Sequence, residues 1–264
     1  MSIYVETHNN NCFSIDNDEN EMFENILKKI GKYTDINEMR ELDMFDSDYD
    51  MPIYNLPDNM MIFTSSSNFN QYITTYPSNL VQLYLGDIYN QKLDNLPEGL
   101  RYLSIGNNYN MSLDELPSTV RELSVGHRFN QSINHLPKDL EYIELGNSFN
   151  QNVDNLFMNP NNKLLHIELG DEFNNNLDLR YLDKLKLLEL GKNFNNKLVL
   201  SNNLEVLYLG KCELFNEKID NIPSTLKRVI IKSDYKYIND IENLKDFELM
   251  EEFDNQKYFE KITS

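Results

Sequence analysis

Tryptophan is absent, and cysteine, glycine and proline are scarce: 264 residues hold two cysteines, nine glycines and eight prolines. Bases are few as well, with 24 lysines and arginines against 43 aspartates and glutamates, for a net charge of −19. Each shortage excludes something. Cys12 and Cys212 lie in different segments and cannot frame a disulfide-stapled domain or a four-ligand zinc site, so reduced thiols in a cytosol-like compartment are expected. The acidic balance repels polyanions, so neither nucleic acid nor an anionic membrane is expected as a partner. No apolar run approaches the roughly 18 residues needed to span a bilayer. The opening MSIYVETHNNNCF lacks the basic and apolar regions of a secretory signal, and a cytoplasmic location is expected.

Catalytic constellations are missing too. None of His8, His127, His135 and His166 has a Cys, Asp or His partner at metal-ligand spacing. There is no G-x-S-x-G, no phosphate-binding glycine loop and no H-E-x-x-H. The chain is therefore expected not to be an enzyme and to need no cofactor or metal. Its 40% hydrophobic content is nevertheless enough for a folded core, in one or two domains at roughly 150 residues each.

What the sequence does contain is a repeat. Phe69-Asn70, Tyr89-Asn90, Tyr109-Asn110, Phe129-Asn130 and Phe149-Asn150 recur every 20 residues, and Phe173-Asn174, Phe194-Asn195 and Phe215-Asn216 continue at spacings of 24, 21 and 21. Seven of the nine glycines keep the same beat, from Gly86 to Gly210. Prolines 57, 77, 97, 117 and 137 follow it in the first half, with Pro223 near the end. The unit is L-P-x-x-L-x-x-L-x-L-G-x-x-F-N, cleanest in LPEGLRYLSIGNNYN from Leu96 to Asn110. L-x-x-L-x-L is a short strand with alternate residues inward: Leu83 and Leu85 face a core, Gln82 and Tyr84 face out. Glycine is expected to close the strand at a positive φ. The aromatic residue plugs the interior, and asparagine bonds nearby backbone. One unit cannot bury its apolar face alone, whereas stacked units can. Nine copies are counted, starting at Met60, Leu80, Leu100, Val120, Leu140, Leu164, Leu185, Leu204 and Leu226.

L-x-x-L-x-L is similar to the strand segment of leucine-rich repeats. The recurrent Phe-Asn pair with a later Ile/Leu-Pro, as in Phe215-Asn216 and Ile222-Pro223, resembles the FNIP repeat family, known chiefly from amoebae and the large viruses that infect them. The resemblance covers residues 55–239, about 70% of the chain; most copies have 20 residues, short for the family, and copies six to eight lack the proline. It implies an α/β-type leucine-rich-repeat solenoid, with short parallel strands on the concave face, an extended or irregular convex side and small helical caps. It also implies a non-catalytic protein–protein interaction module, in the host cytoplasm if the chain is viral. A structural or virion-associated protein is one alternative. The other is a substrate receptor of a cullin ubiquitin ligase. Family members often follow an F-box, and Phe23–Phe45 has helix–turn–helix spacing, although the opening Leu-Pro pair is missing.

The ends carry most of the charge, thirteen acids against four bases in residues 1–50 and eight against three in 239–264. Residues 1–54 are read as an acidic helical cap, 55–238 as the solenoid and 239–264 as a C-terminal helical cap. Phe23, Ile26, Leu27 and Ile30 have helical spacing, with a capping box at Asp18 and Glu21, and a second short helix is expected over 35–44. Ile241, Leu244, Leu249 and Phe253 suggest an amphipathic helix. Insertions at Leu156–Lys163 and Lys211–Leu214 are expected to leave the array as loops.

Candidate partner-binding residues come from the outward strand columns, which stacking does not constrain. Tyr84, Tyr102, Tyr142 and Tyr208 offer aromatic area. Glu144, Glu168 and Glu189, beside His166, place like charges on adjacent strands, unfavourable for folding unless a basic partner or salt screens them. The expected partner is a protein with a basic patch, bound by a monomer.

Overall fold

A strand of four residues with alternate leucines gains little alone; its apolar edge is removed from water only when another copy lies beside it in register. The computed structural model describes residues 2–16, 21–158 and 162–262. It shows that register in each of two units, Met1–Phe129 and Asn130–Ser264.

In the first unit, β1 (Ser2–Thr7) and β2 (Cys12–Asp16) form an antiparallel hairpin, followed by α1 (Phe23–Ile30) and β3 (Met39–Asp43). β1 pairs antiparallel with β3. Then come β4 (Ile53–Asn55), β5 (Ile62–Thr64), β6 (Ile73–Thr75), β7 (Gln82–Leu85), β8 (Tyr102–Ile105) and β9 (Glu122–Val125). The main sheet runs β2-β1-β3-β5-β7-β8-β9, parallel from β3 onward, while β4 pairs with β6 on the other side of the repeats. Leu42, Phe63, Leu83, Leu103 and Leu123 lie opposite one another across the strands and are fully buried.

The second unit repeats the plan with β10 (Tyr142–Leu145), α2 (Asp154–Phe157), β11 (His166–Leu169), β12 (Leu177–Asp178), β13 (Leu187–Leu190), β14 (Leu198–Val199), β15 (Val206–Leu209), β16 (Ile219–Asp220) and β17 (Arg228–Lys232). α3 (Ile238–Glu242), β18 (Phe247–Phe253) and β19 (Gln256–Lys261) complete it. The main sheet runs β10-β11-β13-β15-β17-β19-β18, its last two strands antiparallel, and β12-β14-β16 form a second small parallel sheet.

Two ladders run through each unit. Buried rings stack from coil to coil: Tyr49, Phe69, Tyr89, Tyr109 and Phe129 at centroid distances of 6.0–6.4 Å in the first unit. Phe149, Phe173, Phe194, Phe215 and Tyr235 do the same at 5.5–6.2 Å in the second. Each fully buried ring is worth about 1.5–3 kcal/mol of transfer free energy. Beside them, each asparagine carbonyl accepts the backbone N–H of its counterpart one coil on: Asn70 from Asn90 at 2.9 Å, Asn90 from Asn110 at 2.9 Å, Asn150 from Asn174 at 3.0 Å and Asn174 from Asn195 at 2.8 Å. The asparagine thus satisfies a donor in the next coil as well as sitting in a turn.

Several expectations are corrected. Among the described residues no glycine has a positive φ. The repeat glycine is required by close approach: a Cβ on Gly106 would meet the Gly86 carbonyl oxygen at 2.6 Å, and one on Gly170 the Gly146 carbonyl carbon at 2.5 Å. Successive coils touch backbone to backbone there, which only glycine permits.

The expected helix over 35–44 is a 3-10 turn at Ile36–Glu38, where the Asp35 side chain accepts from Asn37 N–H, followed by strand β3. Met39-x-x-Leu42-x-Met44 is a degenerate L-x-x-L-x-L, with Tyr49-Asp50 as its Phe-Asn: Tyr49 stacks on Phe69, and Asp50 accepts the Asn70 N–H at 2.8 Å. Parallel stacking therefore starts at β3, and the helix–turn–helix spacing over Phe23–Phe45 resolves into one helix and one strand. α1 does bury Phe23, Ile26 and Ile30, and Phe23 sits edge-on against Tyr49 at the end of the ring ladder. Its N-cap is Met22, without a side-chain cap, and Asp18 of the expected capping box lies outside the described residues.

The C-terminal segment is the larger correction. Only Ile238–Glu242 is helical; Leu249 and Phe253 lie on β18 of an antiparallel hairpin. Asp254 and Asn255 join its strands with φ of 46° and 60°, the left-handed pair that a two-residue hairpin turn requires. The hairpin wins because it supplies β17 with a ladder partner, which a helix cannot. The insertions are less loop-like than expected: Leu156 and Phe157 of α2 are buried, as is Cys212, whose thiol donates to the Leu190 carbonyl at 3.2 Å. Leu214 is exposed.

Candidate functional site

Alternation along each strand presents one column of side chains to the core and the next to solvent. In β7, β8, β10, β11, β13 and β15 the order is half-exposed, buried, half-exposed, buried, as expected from the leucine spacing. Parallel register then places equivalent outward residues side by side, about 4.8 Å apart.

In the first unit Tyr84 is in register with Ser104 and Tyr102 with Gln82, and the two tyrosine rings meet diagonally, with centroids 4.9 Å apart at a tilt of 39°. The Tyr84 hydroxyl donates to Gln82 Oε1 at 3.1 Å, and partial burial with the neighbouring Tyr102 raises its pKa. The column of Tyr84 otherwise holds the small, uncharged Thr64, Ser104 and Ser124, while that of Tyr102 holds Ile62, Gln82 and Glu122.

The remaining candidates assemble in the second unit. Tyr142 and His166 lie opposite each other on β10 and β11, their rings edge to face with centroids 4.6 Å apart. The Tyr142 hydroxyl donates to Glu144 at 3.2 Å. His166 Nε2 is buried and has no hydrogen-bond partner among the described residues. Burial lowers the His166 pKa, against the opposing fields of Glu189 and Glu144, which favours a neutral ring.

Glu144, Glu168 and Glu189 occupy one register position on adjacent strands. Partial burial first, then Glu189 and Glu144, push the central Glu168 carboxyl above its usual range. Lys211, from the second insertion, salt-bridges Glu189 at 2.7 Å and lies 6.0 Å from the Tyr208 ring centroid. Tyr208 follows Glu189 in the same row and is itself followed by Ile230 and Tyr258.

The sequence reading therefore followed the row as far as Ile230, took its candidates up to Tyr208, and missed Tyr258 beyond it. Leu187, Val206, Arg228 and Ile230 stand in the outward columns but carry no distinctive chemistry alone. Tyr258, Glu251 and Phe253 were hidden by the helical reading of the C-terminal segment. Asp254-Asn255 between two strand-like runs was the available signal. No group of three or more His, Cys, Asp or Glu side chains able to hold a metal occurs among the described residues, and no helix there is long and apolar enough to cross a membrane.

Short parallel strands stacked one per coil, with an aromatic ladder inside and an asparagine ladder at the surface beside it, define a leucine-rich-repeat type of β-solenoid. The family model described as FNIP Repeat matches the chain twice, over residues 89–128 and 109–148. Among solved structures the chain is similar to the giant-virus protein CroV588, whose crystal structure is described as a novel circular LRR protein structure. The TM-score is 0.59, with 28% identity over 71% of this chain and 32% of that one. The chain thus spans about a third of that protein's length. No curated protein matches it in sequence.

Proposed function

We propose that this chain is a non-catalytic interaction module that binds a protein with a basic patch on the outward face of its strand sheet. The observation that carries the reading is the in-register column Glu144, Glu168 and Glu189 beside Tyr142 and Tyr208. Like charges on neighbouring strands cost about 0.2–1 kcal/mol per pair, a cost that a cationic partner turns into attraction. Aromatic side chains next to the acids supply the apolar area that interface centres use. The similarity to a leucine-rich-repeat protein supports the class of function, since stacked repeats present long continuous surfaces.

The test is affinity purification from host-like cytosol with the intact chain, a Glu168→Gln/Glu189→Gln variant and a Tyr142→Ser/Tyr208→Ser variant. A specific partner should be lost by both variants while the fold is kept, and its binding should weaken with salt. Equal recovery of the same partner by all three would show that the sheet face is not the binding surface.

A further inference from the structure

The C-terminal hairpin turns the open sheet face of the second unit into a groove. β17 ends the parallel array; β19 continues the sheet antiparallel to β17, and β18 pairs antiparallel with β19. A cleft of about 400 Å³ opens between the outward face of β15 and β17 and the hairpin. Its apolar lining is Val206, Tyr208, Ile230, Phe253 and Tyr258. Phe253 is 68% exposed, an unusual position for a phenylalanine that adjoins a cleft large enough to take a bulky side chain. Arg228 lines the cleft but is held by Glu260 at 3.1 Å, so its charge is internally matched. Glu251 lines the same cleft, opposite Tyr258.

The register fixes what lies beside this cleft. One row crosses the strands as Glu144, Glu168, Glu189, Tyr208, Ile230 and Tyr258. Neighbouring strands are about 4.8 Å apart, so Glu189 lies about 10 Å and Glu168 about 14 Å from the Ile230 position. An extended peptide rises about 3.3 Å per residue, so these distances correspond to three and four residues. The row is apolar between two acidic stretches, Glu144, Glu168 and Glu189 on one side and Glu251, opposite Tyr258, on the other, and Lys211 salt-bridges Glu189.

We infer that the groove is a peptide-docking site. Its ligand is an extended segment of a partner protein lying across the strands, with a lysine or arginine over Glu168 and Glu189 and a large aliphatic or aromatic side chain, three or four residues away, between Ile230, Tyr258 and Phe253. Charge complementarity selects this occupant over a second copy of the chain, because a second acidic row laid on the first would repel it. The inference deepens the proposed function and rests on it, adding the C-terminal hairpin as the wall that reads the apolar residue.

The experiment is to pan a phage-displayed library of random 12-residue peptides against the full chain. Binding of the most enriched peptide, synthesised with fluorescein, is then measured by anisotropy to the wild type and to Phe253→Ser, Tyr258→Ser and Glu168→Gln/Glu189→Gln variants. Enrichment of a basic residue three or four positions from a large apolar one is expected. So are a loss of roughly tenfold or more in affinity on Phe253→Ser and a reduced salt dependence on Glu168→Gln/Glu189→Gln. Phe253 is mostly exposed, so its loss leaves the fold intact, and a circular-dichroism melt checks this. Binding that ignores Phe253→Ser and Tyr258→Ser but needs Glu168 and Glu189 would overturn the groove while leaving the acidic face standing. Binding that ignores all three variants would overturn both readings. Enriched peptides without a base, or no enrichment, would overturn the stated ligand, and a Phe253-dependent dimer in sedimentation would give the groove to a second copy.

Discussion

The two units share an interior and differ outside it. The first stacks tyrosine and phenylalanine rings over an asparagine ladder, and so does the second. On the side away from the main sheet they part. Pro77 and Pro97 close turns by accepting the N–H of Leu80 and Leu100 at 3.1 and 3.0 Å. In the second unit Leu182 and Ser201 do the same for Leu185 and Leu204, at 3.0 and 3.4 Å. The turn depends on the carbonyl three residues back, which any residue has, so proline can be lost. Proline does not decide strand pairing on this side: β4 and β6, which precede Pro57 and Pro77, pair as β12, β14 and β16 do. One outward column diverges further: it holds Thr64, Tyr84, Ser104 and Ser124 on β5 to β9 of the first unit and Glu144, Glu168 and Glu189 on β10 to β13 of the second. Positions that touch the next coil keep their residue type; positions that touch water or a partner vary.

That contrast can be broken at its base by removing a ring from each ladder. Phe173→Ala and Tyr109→Ala should each cost about 3–5 kcal/mol in urea unfolding of the full chain, because both leave a buried cavity between stacked neighbours. A loss in one unit more than double that in the other would mean that the interiors are not equivalent. Gly106→Ala and Gly170→Ala come next, at about 1–3 kcal/mol, since the new methyl displaces backbone of the preceding coil. A neutral result at either site would show that the coils can separate there. Asn90→Ala and Asn174→Ala should cost about 0.5–1.5 kcal/mol and raise hydrogen exchange at the Asn110 and Asn195 amides they cap; unchanged exchange would mean that water replaces the side chain without penalty.

The smallest effect sharpens the outer difference and has the opposite sign. Glu168→Gln should stabilise the chain by about 0.2–1 kcal/mol at pH 7, because it removes one of three neighbouring charges. The folded-state pKa of Glu168 lies above its ordinary value of 4.5, so the folded state binds this proton more tightly than the unfolded state does. Its contribution is fully present below pH 4.5 and is lost as pH rises through the raised value. The advantage of the variant should therefore shrink towards pH 4 in thermal melts. An advantage independent of pH would mean that packing, and not charge, is responsible.

Much of this architecture was legible in the residues. Leu83, Leu103 and Leu123 at a spacing of 20 specify both strand and register, because any slip would turn leucines to water. Glu144 beside Glu168 and Glu189 followed from that register alone, whereas Tyr84 and Tyr102 belong to different columns and meet through the orientation of their rings. The role of glycine did not. A spacing pattern marks where a small residue is needed but not whether φ or a neighbouring backbone demands it, and here the neighbour does. The first coil was also obscured, because Met39-Arg-Glu-Leu42-Asp-Met44 followed by Tyr49-Asp50 keeps the shape of the repeat with few of its letters.

The sequence by itself determined the coil, its period and which side chains face one another within each run of copies, since these depend on contacts between identical neighbours. Only the tertiary structure decided the ends. A terminal segment has no copy beside it to impose a pattern, and Ile241, Leu244, Leu249 and Phe253 fit a helix as well as a strand by spacing alone. The unpaired backbone of β17 settled the matter by offering a ladder to β19, and β18 followed through the left-handed turn at Asp254 and Asn255. The groove beside Phe253 exists because that edge needed a partner.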